Sequence, residues 1–526
     1  MRKFQMKQVE GLLQLLDEAQ AEVRRFLKTE QTASALALLQ QCQESAVHLG
    51  NLIEAEEGEG TAAVGLLEQY CEEIYQCYQK IERGEWENEY KIYKVLNRAL
   101  IRAGNSIKKD IKVYKEMVFL PYKASMWDSM ESIWRAAEKD EHTVAYVIPI
   151  PYYDRNPDGS LGAMHYEGSQ YPAYVPVIQY GSYDFEARRP DAVYIHNPYD
   201  NGNFVTSVHP DFYAGRLSRL TDMLVYVPYI VHSEEVDQSI CDTAGIFYAD
   251  RIFVQSETVR AQYVQGILRY NPDAQLSQVQ EKIVALGSPK VDKVLLGKKE
   301  AYSISPAWRD MLGPPDSPRM TVLYNLSLEF ALAHTMGDGT AYLRKLQSVF
   351  AFFSQNKKAT LWWRPHPLLE QTFFSIRPHI YSGYKRIVEA YKDSQIGIYD
   401  DSSNMDRAIA YADACYGDWS SLNLLMQFVG KPVLIQDIKT AGSETKAVCS
   451  KEQIDGAMGQ FISENPYNSY ILYESSNGGF NLRGLIEHFD IIQSYSAEQS
   501  AKYRAKFVHA DGTAGEHIYR YVDSIT

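Results

Sequence analysis

The 526-residue chain lacks several features that would assign it to a specialised class of protein. No apolar run approaches the roughly 20 residues that a membrane-spanning helix needs. The cysteines form no CxxC pair and no zinc-type spacing, so neither a disulfide framework nor a zinc site is predicted. They are six in number and stand at positions 42, 71, 77, 241, 415 and 449. A reduced, cytoplasmic setting fits this pattern best.

Positive charge is also in deficit, since the formal net charge is −14. Recognition of nucleic acid over a broad surface needs an excess of basic residues, so no nucleic-acid partner is predicted. The N-terminal segment is amphipathic and acidic, whereas a signal peptide would have an apolar core. Peripheral contact with the inner face of a membrane stays open. The composition, 45% hydrophobic and 23% charged, is that of an ordinary globular protein.

Hydrophobic periodicity divides the chain into three predicted regions. Residues 1–115 show a helical pattern without sustained heptads, which favours a helical hairpin or small bundle. Residues 116–300 and 301–526 then each alternate strands with helices, the pattern of a parallel sheet covered on both faces. The predicted fold class is therefore α/β, with two tandem Rossmann-like, doubly wound domains after an all-helical module. A tyrosine-rich insert at 151–183 interrupts the first domain.

Polar side chains follow two predicted strands of the last region. Arg364 and His366 come directly after the apolar run 361–363, in the sequence RPHP. Ser420 and Ser421 follow the run 414–416 and precede a helical pattern, so either serine is a natural N-cap. Ligands of open parallel sheets bind beyond the carboxyl ends of the strands, and free helix N-terminal amides suit an anion. These residues are predicted to converge on one phosphate group. The alternative is a simple helix cap and a surface histidine.

Five motifs in order resemble the CDP-glycerol glycerophosphotransferases, which include teichoic acid polymerases and primases. They are GSPKVD at 287–292, RPHP at 364–367, DDSSNMD at 400–406, ADACYGDWSSL at 412–422 and GKPVLI at 430–435. The resemblance covers roughly residues 115–440. It implies a GT-B fold and a transferase that moves glycerol phosphate from CDP-glycerol to an acceptor hydroxyl and releases CMP. It implies no separate cofactor, and an acceptor that is a polyol or glycan, lipid-linked or free.

The resemblance also assigns roles to single residues. Arg364, His366, Ser420 and Ser421 are expected to neutralise the donor pyrophosphate, and the other donor contacts expected are Lys290, Asp401 and Asp418. The family has a His-Gly-Thr turn in its first domain, where this chain has His196 followed by Asn-Pro-Tyr-Asp. We expect His196 to act as the base, assisted by Asp200, and His366 to act in catalysis as well. A structural histidine is the alternative for His196.

Two matters stay open at the level of sequence. The carboxylates at 400, 401 and 406 could suggest a metal, but their spacing matches no known calcium loop, and no metal site is predicted. A GT-B glycosyltransferase that uses a nucleotide sugar would share the fold and the diphosphate site. A degenerate, non-catalytic transferase that acts as a binding module is the other alternative, favoured by the altered turn after His196.

Overall fold

A computed structural model describes the chain except for residues 157, 204, 233–235, 329–338, 367–368, 403, 443–451, 453–470 and 475–480. Its first region is a bundle of four long helices joined by short turns, in which each helix packs on its neighbours. The helices are α1 (Lys3–Lys28), α2 (Thr32–Glu57), α3 (Ala62–Glu82) and α4 (Glu89–Asp110). This confirms the predicted helical module. No described helix is both long enough and apolar enough to cross a membrane.

The bundle forms because each helix buries a stripe of apolar side chains at helical spacing. On α2 the buried positions include Ala35, Leu39, Cys42, Ala46 and Leu49, three or four residues apart. Side chains with this spacing lie on one face of a helix, so all four stripes meet in one core.

The second region contains a six-stranded parallel sheet in the order β2-β1-β5-β7-β8-β9. Its strands are β1 (Lys115–Leu120), β2 (Thr143–Val147), β5 (Ala192–Ile195), β7 (Leu224–Tyr226), β8 (Arg251–Val254) and β9 (Ile283–Ala285). Two strands of the tyrosine-rich insert pair with a later strand, which follows β5, in a separate antiparallel sheet of order β4-β3-β6. Its strands are β3 (Tyr152–Arg155), β4 (Leu161–His165) and β6 (Thr206–Val208).

Helices cover both faces of this first sheet, because its strands are buried on both sides. They are α5 (Glu131–Glu138), α6 (Phe185–Arg188), α7 (Ala214–Leu217), α8 (Ala244–Tyr248), α9 (Glu257–Tyr270) and α10 (Leu276–Lys282). Two further helices, α11 (Pro289–Leu296) and α12 (Pro306–Met311), lead to the second sheet and pack in its core.

The third region contains a second parallel sheet in the order β12-β11-β10-β13-β14-β15. Its strands are β10 (Met320–Leu326), β11 (Ala359–Pro365), β12 (Gly397–Tyr399), β13 (Ala414–Gly417), β14 (Val433–Ile435) and β15 (Ile471–Tyr473). In chain order this is 3-2-1-4-5-6, the strand order of a doubly wound dinucleotide-binding fold. The direction of winding reverses between β10 and β13. The two doubly wound sheets confirm the predicted fold class.

The helices of the third region include the last helix of the chain, which returns to the first sheet. They are α13 (Thr340–Gln355), α14 (Leu369–Ile376), α15 (Pro378–Ser394), α16 (Met405–Tyr411), α17 (Ser421–Phe428), α18 (Leu482–Glu487), α19 (Phe489–Arg504) and α20 (Ala514–Ile525). Ile518, Tyr519 and Val522 of α20 are buried in the same core as Trp134 of α5. The predicted boundary at residue 300 stays a prediction.

The GSPKVD segment anchors this returning helix. Asp292 is fully buried, and its carboxylate accepts hydrogen bonds from the N–H groups of Ala514 (3.1 Å) and Gly515 (2.8 Å) at the start of α20. Gly287 has a φ of 96°, and a side chain there would meet the carbonyl oxygen of Val508. The glycine and the aspartate of the motif therefore join the end of the chain to the first sheet.

Candidate functional site

The candidate site lies at the carboxyl edge of the second sheet, where the winding reverses. Asn325, near the end of β10, pairs in register with Arg364 of β11 on one side and with Gly417 of β13 on the other. The turns that follow β11 and β13 therefore flank the end of β10. Such a reversal opens a crevice above a parallel sheet, which is the usual ligand position in this class of fold. The two predicted phosphate-binding turns are brought to one edge.

Asp400, directly after β12, is the centre of a buried charge cluster at this edge. Its carboxylate lies 3.0 Å from a guanidinium nitrogen of Arg364 and 3.2 Å from one of Arg407. It also accepts hydrogen bonds from the Trp362 indole (3.0 Å) and the Ser402 hydroxyl (2.6 Å). Two arginines share this one carboxylate, and the charge of Asp406 also acts on Arg364. Guanidinium groups at this edge suit an anion such as a phosphate.

The protonation state of the cluster follows from its contacts. Burial alone would raise the pKa of Asp400, but hydrogen bonds from Ser402 and the charge of Arg364 together bring this pKa below its ordinary value. Burial lowers the pKa of the Arg364 guanidinium, and Asp400 opposes this effect. Arg364 also donates a hydrogen bond to the carbonyl of Ser402. Arg364 is therefore held in place by the protein before any ligand binds.

The turn after β13 is built around Gly417 and Asp418. Gly417 has a φ of 140°, and a Cβ there would lie 2.0 Å from the carbonyl oxygen of Asn325, so only glycine fits. Asp418 is fully buried and accepts hydrogen bonds from the Ser327 N–H (2.8 Å) and the Gln436 amide (2.6 Å). It ties together the ends of three neighbouring strands. The structure therefore gives Asp418 a positioning role in place of the predicted contact with the donor.

Ser420 and Ser421 begin α17 as predicted. Ser420 is the N-cap residue, and its N–H donates to the Asn423 side chain (2.6 Å) while its hydroxyl accepts from the Asn325 amide (2.9 Å). Ser421, in the first turn, is exposed. The N-terminus of α17 thus faces the same crevice as the end of β10, and Ser421 is the serine placed at its surface.

His366 and Asp401 complete this edge. His366 follows β11 directly and is half-buried, and burial lowers its pKa below the ordinary histidine value. Its ring is thus neutral at pH 7 and able to accept a proton. Asp401 is exposed beside the buried Asp400. The remaining residues of the two motifs, Pro367 and Ser403, lie outside the described part of the chain.

His196 has the environment of a structural histidine, the alternative that its sequence left open. It is fully buried, its Nε2 accepts a hydrogen bond from the Tyr122 N–H (3.1 Å), and its Nδ1 lies 2.9 Å from the Ser129 hydroxyl. That hydroxyl donates to the Met126 carbonyl, so Nδ1 carries the ring proton. Burial lowers the pKa of His196 to about 3. Both nitrogens are occupied, and the geometry offers no base to the crevice.

Asp200, the predicted partner of His196, is also buried. Its carboxylate accepts a hydrogen bond from the Ala214 N–H (2.9 Å) at the start of α7. Burial raises the pKa of this carboxyl to about 7, and the bond from Ala214 opposes the shift. No hydrogen bond between Asp200 and His196 is found among the described residues. The structure therefore does not bring these two residues together as a catalytic pair.

Lys290 lies on α11 at the junction between the two sheets. Its ammonium is 2.7 Å from the Asp128 carboxylate, and the next basic residue of α11, Lys293, is 2.8 Å from Glu131. Both lysines act on Asp406 of the DDSSNMD turn, where burial and the charge of Asp128 nevertheless raise the pKa of the carboxyl to about 6. Lys290 thus has an ion pair within the protein, and its donor contact stays a prediction.

Sequence reasoning missed Arg407 and Asn325. Arg407 contacts Asp400 and Ser402 from the first turn of α16. The signal was available, since Asn404 caps this helix and an arginine three residues later points back to the cap. Asn325 is the polar residue in the otherwise apolar end of β10, and that break in the pattern marks the crevice. Within the described residues, no group of three or more His, Cys, Asp or Glu side chains is placed as a metal site would need.

Comparisons with family models and with curated proteins find no match. Solved structures with a similar overall fold are found. The S. aureus MnaA structure with UDP has a TM-score of 0.43 at 11% identity, over 78% of this chain and 96% of that chain. The UDP-GlcNAc 2-epimerase from Methanocaldococcus jannaschii has a TM-score of 0.44 at 12% identity, over 78% of this chain and 99% of that chain. A variant of the wall teichoic acid polymerase TagF has a TM-score of 0.43 at 11% identity, over 87% of this chain and 97% of that chain.

Proposed function

We propose that this protein is a transferase that moves glycerol phosphate from CDP-glycerol to an acceptor hydroxyl in the synthesis of a teichoic acid-like polymer. The observation that carries the proposal is the meeting of the RPHP, DDSSNMD and GDWSS turns at one edge of the second sheet. Those turns are the motifs that resemble the glycerophosphotransferases. A cytoplasmic location goes with this proposal, with a lipid-linked acceptor presented at the inner face of the membrane.

The donor pyrophosphate is proposed to lie over the winding reversal between β10 and β13. The free N–H groups at the start of α17, with Ser421 beside them, supply hydrogen bonds to phosphate oxygens. Arg364 and Arg407, which share Asp400, supply positive charge. In phosphoryl transfer most of the catalysis comes from such fixed donors around the developing charge. Asp401, exposed on the same turn, is placed to contact the ribose or glycerol hydroxyls.

His366 is the proposed proton acceptor. The acceptor oxygen attacks the phosphorus that bears glycerol, the bond from that phosphorus to the CMP oxygen breaks, and CMP leaves. The acceptor proton passes to the neutral ring of His366. Its lowered pKa supports this role, because the base form then persists at neutral pH. His196 cannot take the proton without leaving its two hydrogen bonds.

The insert of the first region is the proposed acceptor side. Its small sheet begins at Tyr152, a few residues after the carboxyl end of β2. Tyr153 and Tyr180 stand half-buried there against the ring of His209. Aromatic faces with hydroxyl tips suit polyols and glycans.

A donor panel tests the proposal. The purified protein is given CDP-glycerol, UDP-sugars or GDP-sugars with a polyol phosphate acceptor, and the released nucleotide is measured. CMP release from CDP-glycerol alone is expected. Release of UDP or GDP would instead identify a glycosyltransferase that uses a nucleotide sugar.

His196, at the end of β5, is fully buried and both its ring nitrogens have partners. This favours one further candidate, a non-catalytic nucleotide-binding module. Calorimetry separates it from the enzyme. Binding of CDP-glycerol with no product in the parallel assay would overturn the transferase and support this module.

A further inference from the structure

The helical module has a groove on its outer surface that the proposed transferase chemistry does not use. This α2–α3 groove encloses about 450 Å³ between the two helices. The residues that define it here are Val47, Gly50 and Glu54 of α2 and Glu68, Cys71 and Tyr75 of α3. The core of the bundle lies beneath it, so the groove faces solvent.

The groove is open because small residues line its floor and large ones its walls. A Cβ built on Gly50 would meet no atom within 4 Å. Val47 and Tyr75, by contrast, are 50% and 47% exposed. Apolar surface is therefore left without a partner in a cavity of defined shape.

The rim of the groove is acidic. Residues 32–82, which contain α2 and α3, include nine glutamates and one lysine, Lys80. Glu54 and Glu68 stand on opposite walls, and Glu72 lies beside Glu68. Helix α4 of the same bundle has the reverse composition, with six basic residues and two acidic ones between 89 and 110. The negative charge is thus concentrated on the hairpin that carries the groove.

The length of the groove fits a helix. Its lining on α2 runs from Gln43 to Glu54 and on α3 from Val64 to Tyr75, about 11 residues on each helix. At 1.5 Å per residue this is roughly 16 Å, or three turns. Two antiparallel helices with a seam of small residues between them form a groove of the kind that accepts a third helix.

We propose that the α2–α3 groove binds an amphipathic helix of a partner protein, whose apolar side chains enter the groove and whose lysines or arginines face Glu54 and Glu68. Charge complementarity selects this occupant, because an acidic or neutral helix would leave the rim glutamates without partners. The surface lies on the N-terminal module, so its use is independent of the donor site at the second sheet.

The test measures binding of two synthetic 15-residue peptides to the full-length chain by fluorescence anisotropy. Both peptides carry leucines on one helical face, and the opposite face carries lysines in one peptide and glutamates in the other. We expect the lysine peptide to bind at least tenfold more tightly than the glutamate peptide. Failure of the lysine peptide to bind, or equal binding of the two, would overturn the proposal.

Variants then locate the binding surface. The double variant Glu54→Gln with Glu68→Gln should weaken binding of the lysine peptide about tenfold, and Tyr75→Ala should weaken it several-fold. The matched control is Glu10→Gln with Glu18→Gln, which removes two exposed charges from α1. If the control weakens binding of the lysine peptide equally, the peptide is attracted unspecifically to an acidic protein, which contradicts the proposal.

The occupant is checked by the oligomeric state of the unmodified chain in light scattering. A monomer whose groove binds the lysine peptide supports a partner protein. An oligomer that dissociates on Glu54→Gln with Glu68→Gln would instead identify a second copy of this chain as the occupant, against the proposal.

Discussion

Two strand ends, one in each parallel sheet, carry a histidine that the sequence presents in nearly the same way. His196 follows β5 and His366 follows the strand residues of β11. The structure gives them opposite environments. His196 is fully enclosed, with both ring nitrogens held by the protein, whereas His366 is half-buried next to the charged turn of Asp400 and Arg407.

The difference shows that a histidine at a strand end is not by itself a functional signal. Near His366 two arginines share the carboxylate of Asp400 at the edge of the sheet. Both ring nitrogens of His196 are hydrogen-bonded within the protein, and these contacts join the ends of β1 and β5. A site is therefore recognised by charge that the protein leaves for a ligand, and a structural residue by hydrogen bonds that are already complete.

The largest effect is expected for His366→Ala. If His366 accepts the proton of the acceptor, its loss lowers CMP release from CDP-glycerol by about 10²- to 10⁴-fold, the usual contribution of a general base. Because burial lowers the pKa of His366, the acid limb of the wild-type pH profile should lie below pH 6.5 and vanish in the variant. Steady-state release of CMP between pH 5 and 8 measures both.

His379→Ala is the control for this variant, because His379 is exposed in the same region on α15. It should retain wild-type turnover. If both variants have the same turnover, His366 has no special role in catalysis, and the two strand ends do not differ in function.

Asp400→Asn should have the next largest effect. The asparagine keeps the shape of the side chain but leaves the charges of Arg364 and Arg407 together without a carboxylate. Removing one member of a buried ionic cluster costs about 3–5 kcal/mol. We expect the free energy of unfolding of the second sheet to fall by this amount, seen as a urea transition at lower concentration. Tryptophan fluorescence follows it, because Trp362 contacts the cluster.

Asp401→Asn is the matched control, one residue away and exposed. Its effect on stability should stay within about 0.5 kcal/mol. Equal losses in the two variants would mean that the cluster does not organise the edge.

His196→Gln tests the other side of the comparison. The glutamine amide can accept from the Tyr122 N–H in place of Nε2 but has no donor at the position of Nδ1. The buried Ser129 hydroxyl loses its partner, so we expect a loss of about 1–3 kcal/mol in the free energy of unfolding. Turnover per folded molecule should stay close to wild type. A variant with unchanged melting temperature and no CMP release would reverse this assignment and restore His196 as the base.

Much of the fold could be predicted because the strands are buried and apolar. The alternation of strands and helices predicted for residues 116–300 and 301–526 is observed, and the helical character of the first module follows from periodicity. The return of α20 to the first sheet could not be predicted. Periodicity shows that Ile518 and Val522 share an apolar face, but not which surface will cover it.

The candidate site could be predicted in position but not in detail. Strand ends and turn residues located Arg364, His366, Ser420 and Ser421 at one edge. Which of the motif residues are buried could not be predicted, because burial depends on contacts between residues far apart in sequence. Asp418, expected to contact the donor, is instead fully covered.

Lys290 shows the same limit. Its ion pair is with Asp128, 162 residues earlier in the chain, and no local pattern could reveal that partner.

Asp200→Asn comes last because its effect appears only as a dependence on pH. Burial raises the pKa of Asp200 in the folded state from 3.8 to about 7, while in the unfolded chain it stays near 3.8. Between these values the folded state binds the extra proton, so the contribution of Asp200 to stability is complete below about pH 4 and is lost as the pH rises through 7. Asparagine cannot ionise, and its side-chain oxygen can still accept from the Ala214 N–H.

The stability of the variant relative to wild type should therefore increase as the pH rises from 5 to 8, by roughly 2–3 kcal/mol in the difference between their free energies of unfolding. Asp292 and Asp406, whose pKa values are also raised, to about 6, titrate in both proteins and cancel in that difference. Thermal unfolding of the pair at the two pH values makes the measurement. A difference that does not change with pH would mean that Asp200 is exposed to solvent. The end of β5 would then be less buried than the environment of His196 indicates.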